Sequence, residues 1–205
     1  MLFKPKTNNA KKLTSNNVKK YVEDTYGSTA IQTADVYMQD FTPLLQCDFG
    51  GDNDCTLTCI TAIIKHITKG KHKATSIYEY VEKIAKKHLY HHKIGTNYFV
   101  IKSIFDKALE KYCSKKSKVG HIKNKGYNLK TIVTQINKKN PVILSLHSDG
   151  NGYYGKHSVV VIGYRTYSVN NKDKTLLKIY DNWSRQIAYL DYEKISTISS
   201  VNYPS

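Results

Sequence analysis

Apolar residues recur at helical spacing through the first two-thirds of the chain and in short β-like runs through the last third. From Thr56 to about Thr68, Leu57, Ile60, Ile63, Ile64 and Ile67 fall three and four residues apart, which places them on one face of a helix. The same spacing predicts a helix from Ser76 (Ile77, Tyr80, Val81, Ile84, Ala85) and another from Thr96 (Phe99, Val100, Ile104, Phe105, Ala108, Leu109). A further one runs from about Asn128 to Asn137 (Leu129, Ile132, Val133, Ile136). A shorter helix is expected between the capping pair Ser15-Asn16 and Gly27, and residues 29 to 46 read as extended. After Pro141 the texture changes: VILSL, HSVVVIGY, TLLKIYD and QIAYLDY are strand-like, and SVNNKDK between the middle two is a hairpin signal. The run Val159 to Ile162 reads as a strand covered on both faces. The expected fold is therefore α+β with two lobes: helices first, an antiparallel sheet last, and a cleft between them.

Length refines this picture. The 205 residues fit one domain, large enough to bury roughly 70% of its unfolded surface without a disulfide or metal. The expected division is a basic lead-in with a short helix at 1–28, with 1–13 mobile, then a single domain at 29–205. Within that domain the helical lobe covers about 29–139 and the sheet lobe about 140–205. Charge adds a partner class: 32 Lys+Arg stand against 16 Asp+Glu, a formal +16. Such a balance attracts anionic polymers, but the lysines are scattered, with no basic helix and no basic–aromatic RNA-binding signature. No stretch reaches the roughly 18 apolar residues that span a membrane. The N-terminus lacks the apolar core of a signal peptide. The expected setting is the cytoplasm, or the mature or excised region of an exported protein.

The chemistry concentrates around one cysteine. Of Cys47, Cys55, Cys59 and Cys113, Cys55 opens a predicted helix after the polar loop CDFGGDND, with Asp54 at the N-cap position. A reactive thiol needs positive charge nearby, a base within reach and a group that orients the base. His157 begins a strand after a glycine-rich loop, and Asp181 ends the next strand. In an antiparallel pair the start of one strand lies beside the end of its neighbour, so the two side chains are expected to meet. Each residue alone has a commoner role: a buried small apolar Cys, a strand-edge His, a turn-capping Asp. Cys59, one turn further along the helix, is an alternative nucleophile. Zinc held by Cys47, Cys55, Cys59 and a His is a further alternative, with a spacing unlike the usual fingers. His88, His91 and His92 read as a solvated helix end. Tyr153, Tyr154 and Trp183 flank the site, as lining of a substrate cleft or as packing. No cofactor is expected.

These segments resemble the papain-like cysteine peptidases. The resemblance rests on HSVVVIGY at 157–164, on Asp181-Asn182-Trp183 and on NPVILSL at 140–146. The helix DCTLTCITAII at 54–64 is similar to the nucleophile helix of bacteriocin-processing, double-glycine-leader peptidase domains of bacteria and their free-standing relatives. The resemblance implies a papain-like fold and a peptide or protein substrate. It makes Cys55 the nucleophile and Cys59 a residue packed behind it. It also implies an oxyanion-stabilising Gln, for which Gln46 is the candidate. Gln46 lies nine residues before Cys55, farther than in those relatives, so the intervening loop must bulge. Thr56 stands where they carry Gly. Acyl transfer to amines, deamidation, and a non-catalytic shell that binds an anionic polymer are the competing readings.

Overall fold

A computed structural model describes residues 10–51, 53–91, 93–121 and 125–205. Its order is β1 (Leu13–Thr14), α1 (Val18–Tyr26), β2 (Ile31–Tyr37), α2 (Cys55–Ile67), α3 (Ala74–Lys87), α4 (Ile101–Cys113), β3 (Ser117–His121), α5 (Lys125–Asn137), β4 (Val142–Leu146), β5 (His157–Val169), β6 (Lys172–Tyr180), β7 (Ala188–Asp191) and β8 (Ser200–Pro204). A 3-10 turn at Gln46–Phe49 precedes α2.

The strands form one antiparallel sheet in the order β1-β7-β6-β5-β4-β8-β3, with β2 also paired to β5. β5 organises it. One edge pairs with β6; along the other, β4 covers residues 157 to 161 and β2 covers 163 to 168. The handover falls at Gly163, where an added Cβ would lie 2.3 Å from the Val36 carbonyl oxygen. β5 and β6 turn through Asn170 and Asn171, both at positive φ (49° and 59°). That is the backbone of a two-residue primed turn, which matches strand twist and suits Asn.

The predicted helices and the four late strands form close to where the apolar pattern places them, except that the helix expected from Thr96 begins at Ile101, after a 3-10 turn at Tyr98–Val100 that leaves Phe99 exposed. β1, β3 and β8 carry no such signal and appear as short strands completing the sheet. The sheet is also not confined to the C-terminal part, because β2 and β3 come from the helical stretch. β2 (IQTADVY) is largely exposed, so it buries too little for its pattern to mark it as part of the sheet. The lead-in was expected to be mobile through residue 13. Instead Leu13 is buried and pairs with Tyr189. Val18 and Val22 of α1 pack with Tyr167, Val169, Leu176 and Tyr189 in a second apolar cluster. Residues 1–9 lie outside the described residues.

α2 is the centre of the main core. Residues 56 to 64 are all buried, because α2 lies against β4 and β5 on one side and α3 and α4 on the other. A helix enclosed on every face must be apolar nearly all round. Its threonines satisfy themselves locally where they can: Thr61 donates to the Leu57 carbonyl at 2.8 Å. Among the described residues, no helix is long and apolar enough to cross a membrane.

Candidate active site

The first turn of α2 carries the thiol. Asp54 occupies the N-cap position, but its side chain makes no cap hydrogen bond. The expected cap is replaced: the Asp54 carboxylate, fully buried, accepts the hydroxyls of Tyr78 and Tyr90. Cys55 itself stands in the first turn of α2, where the positive end of the helix dipole favours a thiolate.

His157 stands between the thiol and a main-chain acceptor. Its Nε2 lies 2.8 Å from the Asp181 carbonyl oxygen. A carbonyl only accepts, so Nε2 carries the proton and Nδ1 is the nitrogen left to take one from Cys55. The imidazole is close enough to the Cys55 thiol to act on its ionisation. Burial pushes the Cys55 thiol up. The His157 hydrogen bond and charge, the Ser158 backbone N–H and the Thr56 hydroxyl pull it further down, so its pKa ends below that of an ordinary thiol. Trp183 stacks on the imidazole with centroids 3.9 Å apart and planes 20° apart. Tyr154 lies nearly parallel to the same ring, at 5.9 Å. Together they keep His157 almost fully buried.

Asp181 meets His157 through its backbone and not through its carboxylate as expected. The carboxylate is already saturated. One oxygen accepts the Trp183 and Ser184 backbone N–H groups at 3.1 Å each. The other accepts the Tyr154 hydroxyl at 3.0 Å and pairs with the Lys12 ammonium. An ionised carboxylate has about four lone-pair sites, so none is left for the imidazole. Tyr154 is 1% exposed and ends on Asp181; it backs the imidazole and offers no surface to a cleft. Trp183 remains half-buried over the imidazole.

Gln46 opens the 3-10 turn at Gln46–Phe49. The turn closes at Gly50, with φ 78°. The Gln46 backbone N–H donates to the Asn182 carbonyl at 3.0 Å, and Asn182 Nδ2 reaches the Cys55 carbonyl at 3.3 Å. Asn182 thus links the Gln46 turn to the nucleophile turn. The Gln46 side chain is buried, and its Oε1 has no hydrogen-bond partner among the described residues.

The other candidates separate clearly. Cys59 is fully buried and receives Asn182 Nδ2 at 3.1 Å; burial drives its thiol well up. Cys47 is exposed. Among the described residues, no three His, Cys, Asp or Glu side chains gather as a metal site. The Thr56 hydroxyl is 2.8 Å from Ser158 Oγ, which is 3.2 Å from Ser145 Oγ. This hydroxyl chain stitches the head of α2 to β5 and β4.

Two contributors were not legible beforehand. Asn182 sat in the Asp-Asn-Trp motif, yet its role depends on a left-handed backbone, φ 61°, that no local pattern announces. Lys12 lies 169 residues from Asp181 in the chain and looked like one of many surface lysines.

A thiol–imidazole pair, with the thiol on a central helix and the imidazole on the sheet packed against it, defines the papain-like cysteine-peptidase fold. The model of the Peptidase C39 like family matches residues 31–200, and the chain belongs to that family. Among solved structures it is similar to the crystal structure of UfSP from C. elegans, with TM-score 0.52 and 8% sequence identity over 91% of this chain. The match spans 36% of that chain's length, and at this identity it speaks to the fold. No curated protein matches at the sequence level.

Proposed function

We propose that the protein is a cysteine peptidase, or a thiol hydrolase close to one, that opens a peptide or amide bond through an acyl-enzyme on Cys55. The observation that carries this reading is the His157 imidazole, fixed as its Nε2–H tautomer by the Asp181 carbonyl and set beside a Cys55 thiol whose pKa it helps to lower. His157 Nδ1 takes the thiol proton. The thiolate sulfur bonds to the substrate carbonyl carbon, and the C=O electron pair moves to oxygen. The Cys55 backbone N–H at the head of α2 and the Gln46 side-chain amide are the groups suited to hold that oxyanion. The imidazolium then protonates the leaving amine as the C–N bond breaks, leaving a thioester. Water gives a proton to Nδ1, attacks the thioester and releases the acid. Asp181 acts through its carbonyl, which sets the tautomer, and not as a carboxylate partner of the ring.

The test is alkylation of the native protein by iodoacetamide from pH 4 to 9, with the labelled cysteine identified by mass spectrometry. The reading expects selective labelling of Cys55 well below pH 8, slowed in His157→Ala. Slow labelling with an ordinary profile near a pKa of about 8.5 would overturn it. The family shell would then stand without the chemistry, and the +16 charge would put salt-dependent binding of an anionic polymer first. If Cys55 does react, product mass separates hydrolysis from acyl transfer to an amine and from deamidation.

A further inference from the structure

Lys12 is the N-terminal segment's contribution to the site. Its ammonium reaches the fully buried Asp181 carboxylate and donates to Ser184 Oγ at 2.8 Å. The backbone that carries it is fixed. Asn17 Nδ2 donates to the Lys12 carbonyl at 2.9 Å, and the Thr14 N–H donates to Asn17 Oδ1 at 2.8 Å. Leu13 and Thr14 pair with β7. The family match begins at residue 31, so this cation comes from outside the part of the chain that defines the family.

The groups around Asp181 show what the cation does. Lys12 faces it from just before β1, Tyr154 and Tyr153 from the loop before β5, and His157 from the head of β5, with Cys55 of α2 beyond His157. Lys12 is the cation placed on the carboxylate itself. Without it, a buried negative charge would remain on the residue whose carbonyl binds the imidazole, with an oxygen released to compete for Nε2.

We propose that Lys12 is a positioning residue for the Cys55–His157 pair: it holds and neutralises the Asp181 carboxylate, so that the Asp181 carbonyl, a dipole without net charge, is what the imidazole binds. This rests on the thiol-hydrolase reading and deepens it. Removing the cation exposes His157 to a full negative charge, which stabilises the imidazolium.

The experiment is the pH profile of Cys55 alkylation by iodoacetamide in the full chain. Its alkaline inflection marks loss of the imidazolium proton. Lys12→Met is expected to move that inflection up by about one pH unit, and Lys12→Arg to restore it. Asp181→Asn, which leaves Lys12 unopposed, is expected to move it down, and the Lys12→Met/Asp181→Asn pair to return it close to wild type. The double variant also serves if Lys12→Met alone fails to fold, since it buries no uncompensated charge. An unmoved inflection in Lys12→Met, or a lower rate at every pH with the same midpoints, overturns the proposal. If the wild type itself shows no reactive Cys55 below pH 8, the hydrolase reading fails first, which keeps the two failures apart.

Discussion

Asn182 holds three parts of the site at once because its backbone is left-handed. At φ 61° its Nδ2 reaches the Cys55 carbonyl, Cys59 Sγ and the Ser158 carbonyl. Asn tolerates this region better than most residues, so Asn182→Ala should loosen the 181–184 turn as well as lose the contacts. Three further outcomes are expected at this scale. His157→Ala should slow Cys55 alkylation near pH 6 by about 100-fold, the low end for loss of a general base. Cys59→Ala should keep fast Cys55 labelling, since the Cys59 thiol is buried and its pKa raised; labelling that disappears with Cys59 would assign the nucleophile to that residue. Gln46→Ala should leave iodoacetamide alkylation nearly unchanged, because displacement at a saturated carbon develops no oxyanion. The same change should cut acylation by an activated ester about 100-fold. Equal losses in both reactions would mean that Gln46 serves folding and not the oxyanion.

Among the elements, α2 and β2 are held by different physics. α2 is held by enclosure. Ile60 is fully buried in the main core, so Ile60→Ala should cost about 2–5 kcal/mol, read as a lower denaturation midpoint with an unchanged slope. β2 buries little apolar surface and is held by charge: Asp35 pairs with Arg165 at 2.7 Å and with the nearly buried Lys178. Burial pushes the Asp35 carboxyl up, but the two cations outweigh it and leave its pKa below the usual value. For Lys178 the balance runs the other way. Burial lowers its pKa in spite of Asp35, so the lysine is carried at a cost that the carboxylate offsets. A depressed carboxylate stabilises the fold above its unfolded pKa, about 3.9. That contribution fades as pH falls through the lower folded value. Asp35→Asn should therefore cost about 2 kcal/mol at neutral pH and flatten the acid limb of the stability curve, measured by urea titration from pH 2 to 7.

At the scale of the whole molecule, the N-terminal segment packs onto one edge of the sheet. β1 extends the sheet at β7, α1 closes the second apolar cluster, and Tyr21 and Tyr26 both donate to the buried Asp191 carboxylate. Deleting residues 1–16 removes Leu13 and Lys12 together. It is expected to lower the melting temperature and raise protease sensitivity around α1. An unchanged melt would show that β1 adds nothing to the fold. The +16 charge belongs to this scale as well. Spread over the surface, it predicts weak polyanion binding that falls steeply with salt and does not depend on Cys55.

The sequence by itself determined the helices and the central strands. Their apolar spacing is a local property, and burying those faces is the largest favourable contribution to folding. It also determined which residues could form the site, because Cys55 at a helix start, His157 at a strand start and Asp181 at a strand end follow from element boundaries and the antiparallel rule. The tertiary structure decided which atoms meet. Asp181 presents its carbonyl to His157 because Lys12, Tyr154 and two backbone N–H groups had already occupied its carboxylate, and those donors come from distant parts of the chain. Tyr154 became backing in place of lining, and Asp54 turned from the helix it begins to two tyrosines, for the same reason. Local pattern fixes where a side chain starts, whereas its hydrogen-bond partners depend on contacts made between segments far apart in sequence.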